Sequence, residues 1–127
     1  MPDNPLFKKL RLLPDQRVLI LHAPGGYLAS LGEFPPGTIV ETEIKGQFDL
    51  VHAFYTHAQP LEEQIDDIKS ALIKERILWI SYPKQSAKQE TDLNRDILRE
   101  AMIASDLKAV SMVSINDIWS AMRFKQI

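Results

Sequence analysis

Three apolar runs constrain this chain more than anything else in it. They are RVLILH at residues 17–22, FDLVHAFYT at 48–56 and ILWISY at 77–82. An apolar run without polar alternation reads as a strand buried on both faces, the usual state of a parallel strand covered by helices. Each run is also followed by residues at helical spacing. After the first, Pro24-Gly25-Gly26 breaks the strand, and Tyr27, Leu28 and Leu31 line one side of a short helix that closes at Gly32. After the second, Pro60 precedes Leu61, Ile65, Ile68 and Leu72, whose steps of four, three and four make a single helical face. Acids in its first turns, Glu62, Glu63, Asp66 and Asp67, complement the helix dipole. After the third comes the polar loop PKQSAKQE, then a helix capped by Thr91 or Asp92. Leu93, Ile97, Ala101 and Ala104 are expected on one face of it, with Leu98 beside them.

The remaining segments complete a sheet. Asn4-Pro5 has the form of an N-cap with proline at the first helical position, which predicts a helix over residues 5–12. TIVETEI at 38–44 follows the breaker Pro35-Pro36-Gly37 and alternates as a strand with one wet face. Residues 108–115 and 118–124 are strands separated by the turn pair Asn116-Asp117, hence an antiparallel hairpin. Strands alternating with helices predict an α/β fold of three layers, with a mainly parallel six-stranded sheet. Right-handed crossovers limit the topologies, and the expected order is 2-1-3-4-6-5, the C-terminal antiparallel hairpin supplying the last two places.

Length and charge exclude several functions. A chain of 127 residues is expected to be one domain, residues 1–127, able to bury its own core. It has no cysteine, so disulfides, thiolate metal sites and a cysteine nucleophile are ruled out. The net charge of −2 speaks against nucleic acid as a partner, because phosphate contacts need clustered cations. No segment has the apolar length of a signal peptide core or of a membrane span. The expectation is a cytoplasmic protein with no membrane partner.

Order and motifs together bring in a resemblance. The opening VLILHAPGGYLASLG, the strand FDLVHAFYT and the closing ILWISYP and WSAMRF are similar to the Rossmann-like fold of S-adenosylmethionine-dependent methyltransferases. Within that likeness, RVLILHAPGGY, LWISYPK, TDLNRDILRE and WSAMRF resemble a family of small uncharacterised bacterial proteins with a degenerate version of the fold. That likeness implies a bacterial source and a fold, and leaves the reaction open. The departures bear on function. Methyltransferases usually carry a G-x-G-x-G turn after the first strand, where this chain has His22-Ala23-Pro24-Gly25-Gly26. The chain also reaches FDLV soon after TIVETEI, which implies loss of the elements that wall in the adenine.

In an open parallel sheet, ligands bind beyond the carboxyl ends of the strands, where the strand order reverses. That rule gathers the candidate residues. Gly25 and Gly26 offer either a close approach to a ligand or only the bend of a strand-to-helix turn. Glu41 and Glu43 follow that turn at 16 and 18 residues after Gly25, where an acid can hold ribose hydroxyls or merely face water. Tyr55, Tyr82 and Lys84 end or follow buried strands. Lys84 with Thr91, Asn94 and Arg95 makes the set best suited to an anion, although ordinary helix capping explains the polar members equally well. His22 stands where it could act as acid or base. His52 and His57 are five apart, so a regular strand turns them to opposite faces, and no ligand set for a metal is present. Trp119 is expected in the core, or stacked with Arg123 on the same strand face.

Three functions are compatible with these residues. The first is a non-catalytic or regulatory domain that binds a small anionic ligand or a protein and needs no cofactor. The second is a minimal methyltransferase using S-adenosylmethionine. The third is a structural partner in a homodimer paired through its edge strands.

Overall fold

The computed structural model describes residues 4–127. It contains α1 (Pro5–Lys9), β1 (Arg17–Leu21), α2 (Tyr27–Leu31), β2 (Ile39–Glu41), β3 (Phe48–Phe54), α3 (Ala58–Ala71), β4 (Leu72–Pro83), α4 (Arg95–Ile103), β5 (Leu107–Ser114) and β6 (Trp119–Gln126). The six strands form one sheet in the order β2-β1-β3-β4-β6-β5. β1 pairs in parallel with β2 and β3, and β3 with β4. β6 then runs antiparallel to both β4 and β5. The order and directions are those the apolar runs and the hairpin signal imply.

Two apolar cores lie on the two faces, as alternation along each strand requires. Leu19, Val51, Ala53, Tyr55, Leu78, Ile80 and Tyr82 face the side covered by α3 and α4. Val18, Ile20, Leu50, Phe54, Trp79 and Trp119 face the side covered by α1 and α2. The indole Nε1 of Trp79 donates to Leu10 O at 2.9 Å and ties the end of α1 to the middle of the sheet. Trp119 is buried with its ring edge-on to Phe54, so it belongs to the core, while Arg123 reaches Ser111 Oγ instead.

Four local readings are corrected. The first helix ends at Lys9, where Leu10 and Arg11 close the turn and Arg11 enters the left-handed region at φ 65°. β2 keeps only three residues, because residues 42–47 must carry the chain directly to the start of β3 with no helix between. α3 begins at Ala58 and stops at Ala71, and Leu72 already pairs with Phe48. The charged stretch Lys74-Glu75-Arg76, ahead of the expected strand at 77–82, is therefore strand as well, with a bulge at Glu75, φ 67°. Finally, α4 is capped by Asn94, whose Oδ1 accepts from Ile97 N at 2.9 Å. Starting there, Leu98 and Met102 point inward and Ile97 is 38% exposed, a face rotated by one residue from the expected one.

No described helix is long and apolar enough to cross a membrane.

Candidate functional site

The carboxyl ends of β1, β3 and β4 form one rim of the sheet. At the end of β1, His22 takes φ 58° and Gly26 φ 83°, two left-handed residues that reverse the chain within five positions. Left-handed backbone suits glycine, and histidine tolerates it better than most other side chains. Thus His22 adopts the backbone conformation glycine takes most readily. Tyr27 N donates to Pro24 O at 3.0 Å, and Ser30 N to Gly26 O at 3.0 Å, which starts α2. A Cβ added to Gly25 or Gly26 would meet nothing within 4 Å, so this side of the turn is open.

The turn at His22 sends its ring toward α3. Gln64 Oε1 lies 2.8 Å from His22 Nε2 and also accepts the Tyr55 hydroxyl. An amide oxygen cannot donate, so with Gln64 Oε1 as the shared acceptor both His22 Nε2 and the Tyr55 hydroxyl act as donors. The two rings meet edge-on at 5.4 Å. Burial raises the pKa of the Tyr55 phenol, which keeps it a donor. A cleft of about 260 Å³ opens here between His22, Tyr55, Thr56, Glu63 and Gln64.

A second cavity, of about 410 Å³, lies further along the rim. Tyr82 and Lys84 come to it from the end of β4, Asn94 and Arg95 from the start of α4, and Met112 and Ser120 from the hairpin. Lys84 Nζ donates to Ser114 Oγ at 2.7 Å, and Lys84 N to Ile118 O at 2.7 Å. Burial raises the Tyr82 pKa, with the guanidiniums of Arg95 and Arg99 pulling it back.

The candidates therefore separate. Tyr82, Lys84, Asn94 and Arg95 converge on one cavity. His22 and Tyr55 converge on the other cleft, whose lining does not include Gly25 or Gly26 of the adjoining turn. Thr91 joins neither, since its hydroxyl donates to Thr56 O and accepts from Leu93 N at 2.9 Å. With Asp92, whose Oδ1 accepts from Ala58 N at 2.8 Å, it clamps the loop before α4 to the start of α3. Glu41 stands in register with Leu19, three residues below His22, or about 10 Å at the strand rise. It is half-buried there and is not brought to the rim. Glu43 is exposed and pairs with Lys45 at 3.8 Å.

His52 and His57 do not meet. His52 is buried on the α1–α2 face, 2.6 Å from Ser81 Oγ and stacked on Phe54, while His57 precedes α3 and lies 3.8 Å from Glu90. Among the described residues no group of three His, Asp or Glu side chains could hold a metal ion. The sequence left Gln64, Glu63 and Arg99 out of the candidates. Arg99 carried a readable signal, because it follows Arg95 by one helical turn. Gln64 carried none, since its role follows from the backbone turn at His22.

No family model matches the chain, and no curated protein matches it either. Solved structures do match. A methyltransferase dependent on S-adenosylmethionine from Aquifex aeolicus superposes with a TM-score of 0.65 at 11% identity, over 97% of this chain and 88% of that one. The magnesium protoporphyrin IX methyltransferase of Synechocystis PCC 6803, with bound S-adenosylhomocysteine, gives 0.62 at 10% identity, over 97% and 80%. The fibrillarin pre-rRNA processing protein of Methanococcus jannaschii gives 0.59 at 18% identity, over 95% and 72%. The Synechocystis enzyme has also been seen with bound S-adenosylmethionine. Neighbours that carry this ligand overturn the expectation that this chain needs no cofactor. At such identities the likeness is one of fold, and the chain has the Rossmann-like fold of S-adenosylmethionine-dependent methyltransferases.

Proposed function

We propose that this chain binds S-adenosylmethionine at the rim beside β1 and β3 and acts as a minimal methyltransferase, in preference to the non-catalytic reading. The observation that carries the proposal is the turn at residues 22–26. His22 and Gly26 supply its left-handed positions, and its glycines face open space. The fold supports the same reading, because solved neighbours hold S-adenosylhomocysteine or S-adenosylmethionine.

The residues present suit the chemistry of this ligand. S-adenosylmethionine carries sulfonium and ammonium charges against one carboxylate, a net positive charge, and the cleft beside the turn is lined by the carboxylate of Glu63 and by no lysine or arginine. Thr56 and Gln64 add hydrogen-bonding groups to the same cleft. When bound, the ligand supplies an electrophilic methyl group. Glu63 would offset its positive charge, the open backbone of Gly25 and Gly26 would allow close approach, and the neutral form of His22, with Nε2 donating, would accept a proton at Nδ1. Glu41 is too far below the rim for the role its sequence position suggests. The short connection over residues 42–47 leaves that side without a wall, so the account predicts modest affinity.

Thermal unfolding with added S-adenosylhomocysteine tests the proposal. A dissociation constant of about 100 μM gives about 2 kcal/mol of stabilisation at a ligand concentration of about 5 mM, by mass action. Glu63→Gln should reduce affinity about tenfold, the scale of one hydrogen bond to a charged group. No stabilisation of the unaltered protein by either S-adenosyl compound would end the proposal.

A further inference from the structure

The second cavity holds cationic groups that the methyltransferase reading does not use. Lys84 and Arg95 line it, and Arg99 lines a smaller adjoining cavity of about 190 Å³ that shares Arg95 and Met112 with the first. Among the described residues none of these three cations is in an ion pair. Asp96 is the one acid lining the main cavity, against Lys84 and Arg95, and the adjoining cavity adds Arg99 and no acid. Clustered, unpaired cations repel one another, an arrangement that a bound anion would relieve.

A buried donor points into the same space. Tyr82 is 6% exposed and lines the cavity. Its hydroxyl donates only to the thioether of Met112, at 3.1 Å, and sulfur is a weak acceptor. Arg95 lines the same cavity as Tyr82, and Arg99 lines the adjoining one. Ser86 and Ser120 add hydroxyls to the wall. A guanidinium matches the two oxygens of a carboxylate or phosphate in bidentate form, which a lysine cannot do.

We infer that the cavity between the end of β4, the start of α4 and the β5–β6 hairpin binds the carboxylate or phosphate group of a small molecule. Arg95 and Arg99 form the fork, Lys84 adds a point charge, and the Tyr82 hydroxyl is the buried donor. Asn94 caps α4 through its side-chain oxygen, which leaves only its amide N–H groups to donate to an anion. The site is separate from the cleft at His22 and stands whether or not an S-adenosyl compound binds there.

Titration of the labelled protein with inorganic pyrophosphate, and in parallel with citrate, tests the inference by amide chemical shifts at matched ionic strength. The expected result is saturable binding of at least one probe, with shifts centred on residues 82–86, 94–96 and 120. The probe that binds tighter decides between phosphate and carboxylate. Arg95→Gln and Arg99→Gln should each weaken binding about tenfold, the scale of one charge-assisted hydrogen bond. Tyr82→Phe should weaken it about threefold without loss of fold, since its hydroxyl now meets only a thioether. Lys45→Gln, remote from the cavity, should leave it unchanged. The inference fails if neither probe saturates by about 20 mM, beyond the range of a useful site. It also fails if both arginine variants bind like the unaltered protein, or if the shifts centre elsewhere.

Discussion

Acid should destabilise this protein through His52. The ring is 1% exposed, stacked on Phe54 and bonded to Ser81 Oγ, and desolvation lowers its pKa from 6.5 to about 3. The unfolded chain therefore takes up a proton near pH 6.5, whereas the folded chain refuses it until about pH 3. Stability from this group is complete above the unfolded pKa and is lost as pH falls between the two values. At about 1.4 kcal/mol per pH unit, the loss from pH 6.5 to 5 is about 2 kcal/mol. Tyr27, the other titratable ring packed on His52, stays neutral throughout, because burial raises its pKa.

Urea unfolding at pH 7 and pH 5 reads the effect. With a slope of about 2 kcal/mol per molar urea, the midpoint should fall by about 1 M. The double variant His52→Leu/Ser81→Ala removes the ring and avoids stranding the buried hydroxyl. Its midpoint should fall by only what the surface carboxylates and the other histidines contribute. Equal shifts in the two proteins would refute the reasoning, and would mean that His52 takes its proton without unfolding.

Three further outcomes follow from single contacts. The Tyr27 hydroxyl is buried without a hydrogen-bond partner, so Tyr27→Phe should leave stability unchanged or raise it by up to about 1 kcal/mol in urea unfolding. Asn94→Ala removes the cap of α4 and should cost about 1 kcal/mol by the same assay. Gly37 has φ 77°, and a Cβ there would lie 1.9 Å from Asp15 Oδ1. Gly37→Ala should therefore cost about 1–2 kcal/mol in thermal or urea unfolding, as left-handed backbone and displacement of Asp15 add together.

What the sequence showed was what burial writes into it. The runs at 17–22, 48–56 and 77–82 have few polar residues because both faces of those strands are covered, and that pattern alone gave three central strands. Asn116-Asp117 marked the hairpin through local chemistry, since Asn116 Oδ1 accepts from both Ile118 N and Trp119 N. The signal failed where burial and polarity disagree. Lys74-Glu75-Arg76 extends β4 into solvent and has no strand pattern, and Ile97 is apolar yet exposed. Thr91 and Asn94 look alike as caps, and only the fold shows that Thr91 is held by the end of β3.

The site was legible in position and illegible in detail. Lys84, Asn94 and Arg95 follow strand ends or open a helix, and these places are readable. The turn at His22 is not, because a left-handed histidine leaves no trace in composition. Glu41 misled through spacing, since counting residues after a turn does not reveal that β2 stops level with Leu19.

Amide shift mapping with S-adenosylhomocysteine tests the central claim most directly. The account predicts saturable shifts at residues 22–26, 55–56 and 63–64, with residues 94–96 unmoved. Absence of saturable shifts at residues 22–26 would contradict it.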